Sequence, residues 1–178
     1  MGSLFSLLEY FWLYGVNLGM ADCTNFVSQA LVAGGISMND DWHYYYSVNN
    51  PLIMLGVQGM YITQDGMVTH RPYNYDFTPT WSMASQQFAY FSNPDNGYIN
   101  GDVITINDIS EIPYVAMNMG VQPGDLLYFA GNNGVHHATI ITQVDNDEIY
   151  YAAHTANWQY RELSLGLRNQ TAYIVRIK

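Results

Sequence analysis

Asp22-Cys23-Thr24-Asn25-Phe26-Val27-Ser28-Gln29-Ala30-Leu31-Val32-Ala33-Gly34-Gly35 spells a helix together with both of its ends. The apolar residues at 26, 27, 30 and 31 share one face at helical spacing. Asp22 is a good N-cap, and Gly34 fits the stop. Cys23, the only cysteine, then falls in the first turn. A thiol there faces unpaired backbone N–H groups and the positive end of the helix dipole, which lowers its pKa, and the same N–H groups can hold an oxyanion. The neighbouring Asp22 charge acts in the opposite sense. A lone cysteine is most often a small buried hydrophobe; this one sits where a nucleophile would.

On either side of this helix the chain changes character. Leu4, Leu7, Leu8, Phe11 and Trp12 recur at helical spacing up to Gly15, which predicts a preceding helix packed on the Cys23 helix. Residues 36–60 are aromatic and Asn-rich and read as irregular. Asp65-Gly66, between Tyr61-Ile62-Thr63 and Met67-Val68-Thr69, is a hairpin signal. Thr80 is placed to cap a helix carrying Trp81, Ala84, Phe88 and Phe91, which Asn93-Pro94-Asp95-Asn96-Gly97 ends. From residue 103 onward the segments Val103–Ile106, Asp125–Phe129, His137–Thr142, Glu148–Ala153 and Ala172–Ile177 read as strands separated by turns. Helices first and an antiparallel sheet afterwards give an α+β fold, with residues 1–178 as a single domain.

Composition narrows the function. Five Lys+Arg against fifteen Asp+Glu leave a formal charge of −10, which argues against nucleic acid and against adhesion to an anionic surface. No apolar run is long enough to insert into a membrane. Sixteen tyrosines and four tryptophans suit a β-rich core or an aromatic groove, with Trp42, Tyr44 and Trp81 as groove candidates. The segment Met1–Glu9 lacks a basic region and does not read as a signal peptide. Asp95, Gly97 and Asp102, or Asp145, Asp147 and Glu148, are short of full calcium-loop spacing, and strand neighbours His136 and His137 diverge, so neither a metal nor another cofactor is expected.

Val135-His136-His137-Ala138-Thr139-Ile140-Ile141-Thr142 is a strand beginning with two histidines, which alternation puts on opposite faces. The next strand, Tyr150-Tyr151-Ala152-Ala153, ends in His154. A cysteine amidase needs a thiol at a helix N-terminus, a histidine to take its proton and a polar group to orient that histidine. Cys23, one of the two strand histidines and His154 supply such a set.

These residues carry a resemblance. DCTNFVSQALVAGG at 22–35, GDLLYFA at 124–130, HATIIT at 137–142 and YAAHT at 151–155 resemble, in order, the motifs of the putative amidase domain family. These are cysteine-dependent hydrolases of the papain-like superfamily, often tied to bacterial peptidoglycan. Trp81, before a helix, also fits. The resemblance implies a papain-like fold, Cys23 as nucleophile, His137 rather than His136 as base, and His154 as orienter with Asn157 as the alternative. It offers Asn17 as an oxyanion donor beside the backbone N–H of Cys23. It implies a peptidoglycan peptide substrate, cut at the bond between the lactyl carbonyl and the first alanine or between later peptide residues. The protein is then expected to be secreted, held in the cell envelope or delivered by a phage, as part of a larger multidomain protein. Two rivals stay open: a protein-directed toxin or acyltransferase, and a binding module without turnover.

Overall fold

The computed structural model describes residues 22–48, 61–62, 68–69, 73–154 and 158–178. The helix expected over residues 4–15, Asn17 and Asn157 lie outside these. Helix α1 (Asp22–Ala33) is followed by β1 (Tyr44–Val48), β2 (Tyr61–Ile62), β3 (Val68–Thr69) and β4 (Tyr73–Phe77), then by α2 (Pro79–Ser82) and α3 (Ala84–Ser92). The second half contains β5 (Ile104–Ile106), α4 (Ile112–Asn118), β6 (Leu126–Gly131), β7 (Gly134–Val144), β8 (Ile149–Ala153), β9 (Trp158–Glu162), α5 (Leu163–Gly166) and β10 (Thr171–Val175). The architecture is α+β: six strands form one antiparallel sheet in the order β5-β10-β6-β7-β8-β9, open at both edges.

α1 ends as its two glycines require. Gly35 adopts φ 104°, its N–H reaches Val32 O at 3.0 Å, and Ile36 N–H reaches Leu31 O at 3.0 Å. This paired motif satisfies the last carbonyls, and only glycine takes such a φ without strain. The left-handed residue is therefore Gly35, one beyond the expected stop at Gly34.

The helix buries Phe26, Val27, Ala30 and Leu31 against Leu126, Tyr128, Ala138, Ile140 and Ala152 on one face of the sheet. The other face packs Leu127, Phe129, Ile141, Ile149 and Tyr151 against Ile112 and Val115 of α4 and Leu163 of α5. With both faces covered, β6 is apolar at every position from Leu126 to Ala130.

Three differences from the sequence expectations have physical causes. Tyr44–Val48, expected to be irregular, forms a strand because Tyr73–Phe77 supplies an antiparallel partner in full register; a ladder partner far along the chain leaves no local signature. The helix expected from Thr80 begins instead at Pro79, a favoured first position, and breaks at Met83, which is extended at φ −116°, ψ 122°. α4 and β9 were not expected at all. α4 follows the capping box of Asp108 and Glu111, and β9 is a polar edge strand without an apolar alternation to read.

Candidate active site

The first turn of α1 is held by a buried polar network. Ser28 Oγ donates to Trp81 O at 2.9 Å and accepts from Trp42 Nε1 at 3.1 Å and Gln87 Nε2 at 2.7 Å. That uses the hydroxyl's one donor and both lone pairs. Gln87 Nε2 also donates to Thr24 O at 3.3 Å, and Gln87 Oε1 accepts from Tyr128 OH at 3.2 Å. Trp81 Nε1 donates to Asn25 Oδ1 at 2.8 Å. Three polar residues of the motif, Thr24, Asn25 and Ser28, are buried. They anchor the helix that carries Cys23.

This network corrects the reading of Trp42 and Trp81 as groove walls. Both indoles are buried, with ring centroids 5.1 Å apart, and their N–H groups are spent on α1. A buried indole needs a partner for its N–H, and Ser28 and Asn25 provide them. Tyr44 is half-buried and stacks on Trp81 at 5.8 Å. These rings support the helix from behind.

Cys23 is buried, yet it reaches a cavity of about 420 Å³ lined also by Phe129, His136, His137, Tyr151, Ala153, Trp158, Arg161, Gly166 and Gln170. Burial pushes the thiol pKa up. A hydrogen bond with the His137 ring, another from the Ala138 backbone N–H, the His137 charge and Thr24 together outweigh it, and the pKa falls from 9.0 to about 7. Thr24 Oγ1 lies 3.7 Å from the sulfur.

The two strand histidines do not diverge. β6 and β7 pair Phe129 with His137 and Ala130 with Val135, so His136 is the extra residue of a β-bulge. A bulge interrupts the alternation on which opposite faces depend, and both rings line the cavity. Their surroundings differ. His137 is half-buried, lies 6.1 Å from Phe129 in a stacked arrangement and hydrogen-bonds the thiol. His136 is exposed, with Nδ1 3.5 Å from Gly134 O.

His154 is half-buried and stacks on Phe26 of α1 at 5.8 Å, one helical turn beyond Cys23. β7 and β8 pair Ile140 with Ala152, and His154 follows directly on the end of β8 at Ala153. Among the described residues, no three His, Cys, Asp or Glu side chains gather where a metal would sit.

Sequence reasoning missed the far wall of the cavity. Trp158 and Arg161 belong to β9, and their spacing of three would separate them on a regular strand. A register shift between Tyr151 and Ala153 brings them to one side, with Arg161 Cζ 4.0 Å above the Trp158 ring. Burial pushes the Tyr151 phenol up, while the Arg161 charge beside it pulls the other way. No motif announces this wall; the signal is an aromatic and an arginine in a segment to which the sequence assigns no element.

The arrangement has the parts of an acyl-transfer site: an acidified thiol, an imidazole hydrogen-bonded to it and an adjoining cavity. A family model described as a putative amidase domain matches residues 9–176. No curated protein and no solved structure matches the chain. With nearly its whole length matched, the chain belongs to the putative amidase domain family.

Proposed function

We propose that this protein is a papain-like cysteine amidase that cuts a peptide amide of bacterial peptidoglycan. The observation that carries the proposal is that Cys23 and His137 line one cavity, with the imidazole helping to lower the thiol pKa to about 7. An ordinary thiol is mostly protonated at neutral pH; this one is about half thiolate there.

The reaction follows from those groups. The Cys23 thiolate attacks the amide carbonyl carbon, and the resulting oxyanion lies near the N–H groups that open α1. The C–N bond breaks as the His137 imidazolium gives its proton to the leaving amine, leaving a thioester on Cys23. His137 then takes a proton from water, whose oxygen attacks the thioester; the acid is released and the thiol restored. His154 acts as the positioning residue for this pair through its place beside α1.

Purified sacculi incubated with the protein in EDTA test the reading. Release of peptides with a new N-terminal alanine supports cleavage at the lactyl amide. Cuts only between later residues make the enzyme an endopeptidase. Cys23→Ala should reduce release by on the order of 10³ or more. No release by a protein whose Cys23 alkylates readily would turn the search to an amide in a host protein.

A further inference from the structure

The chain holds five Lys+Arg and carries a net charge of −10, yet one of those five, Arg161, stands on the wall of the Cys23 cavity. Among the described residues no Asp or Glu lines that cavity, and none lies within ion-pair distance of Arg161. The guanidinium is held without neutralisation: its face rests on Trp158 at 4.0 Å and its charge acts on the Tyr151 phenol beside it. Its Nε is buried, and among the described residues no acceptor meets it. Cation–π contact holds the plane of an arginine but leaves the edge N–H groups unspent. A buried N–H without an acceptor is costly, and a carboxylate matches the guanidinium edge with two parallel hydrogen bonds.

The fold takes trouble to place it there. The register shift between β8 and β9 re-aims Arg161 and Trp158 together into the cavity, as the bulge at His136 re-aims the opposite wall. Irregularities of this kind cluster beside functional sites, where they redirect side chains. Trp158 is 41 % exposed, and Arg161 is half-buried on the same cavity wall.

We propose that Arg161 is a specificity residue that takes a free carboxylate of the substrate, so that the peptide cut at Cys23 is an acidic one. The inference rests on Cys23 being the nucleophile of this cavity and narrows the substrate to a chain whose free carboxylate enters it with the scissile amide. A substrate amidated at that carboxylate would leave the guanidinium edge unmatched and be rejected.

Two alkylating probes of nearly equal size test this without a natural substrate. Iodoacetate carries a carboxylate and iodoacetamide does not. The ratio of their rates at Cys23 should fall about tenfold in Arg161→Met, the scale of one charge-assisted hydrogen bond. The iodoacetamide rate should hold, and Arg161→Lys should keep part of the preference. If Arg161→Met does not fold, Arg161→Gln, which keeps a polar side chain but no charge, carries the same comparison. An unchanged ratio with an intact iodoacetamide rate overturns the anchor alone. A Cys23 that neither reagent labels in the wild type overturns the cysteine mechanism, and the anchor with it.

Discussion

Gln87 Nε2 lies 2.7 Å from Ser28 Oγ and joins α3 to α1 across 59 residues of chain. Both side chains are buried. Ser28→Ala removes the acceptor for Gln87 and for the Trp42 indole, and the donor to Trp81 O. Gln87 keeps Thr24 O as an acceptor, but the Trp42 indole loses its partner at Ser28, so the change should cost about 2–3 kcal/mol. Urea denaturation of wild type and variant measures this; a loss too small to resolve would mean that the network repacks or admits water.

The thiol of Cys23 should alkylate with a pH midpoint near 7 rather than 9.0. The rate rises with pH, because the thiolate is the reactive form. His137→Ala removes two of the influences that lower the pKa and leaves burial, which raises it, so the midpoint should move upward. The linkage has a definite sign. The folded pKa is depressed, so ionisation stabilises the fold fully above the ordinary thiol value, and that contribution disappears as pH falls through about 7. The stability difference between wild type and Cys23→Ala, measured by urea titration across this window, should grow with pH.

His136 and His137 share the cavity, but only His137 is bonded to the thiol. His136→Ala should therefore leave the alkylation midpoint where it is and reduce turnover only mildly. Equal upward shifts for both variants would show that the two rings act on the sulfur as a pair.

The helix around Cys23 was legible because its signals are local: the apolar face at 26, 27, 30 and 31, and the glycines behind it. The strands from 104 onward, β9 apart, were legible for the same reason, as short apolar runs between turns. The register of β7 was not. A bulge at His136 is set by how β6 and β7 pair, so alternation alone gave a false separation of the two histidines. Trp42 and Trp81 were misplaced because composition shows that aromatics are plentiful but not which way they face; their N–H partners on α1 decide it. Arg161 escaped notice because β9 is an edge strand, polar on its exposed side, and its aim depends on a shift in β8 pairing.

His154 rests on Phe26 while Cys23 lies one turn earlier on the same helix. Its loss should disturb the placement of the thiol more than its chemistry. His154→Ala should cost less turnover than Cys23→Ala, and the alkylation midpoint should move less than in His137→Ala. A turnover loss as large as that of Cys23→Ala, with the midpoint unchanged, would instead give His154 a direct part in proton transfer.

Gly166 is where α5 meets the cavity, and it leaves no room for a side chain. A Cβ there would fall within contact distance of the Tyr151 hydroxyl, 3.1 Å from Phe129 Cζ and 3.2 Å from Tyr151 Cε1. Both rings are buried. Gly166→Ala should cost about 1–3 kcal/mol, the usual range for an overpacked site. It should also displace the phenol from its place beside the Arg161 charge. Tyr151→Phe removes the hydroxyl that collides first. The double variant Gly166→Ala with Tyr151→Phe should therefore be more stable than the sum of the two single losses predicts, by about 0.5 kcal/mol or more, as expected for residues in direct contact. Additive losses would mean that α5 shifts away from the sheet as a unit. The crowding at Gly166 would then be relieved by the backbone rather than by the Tyr151 ring.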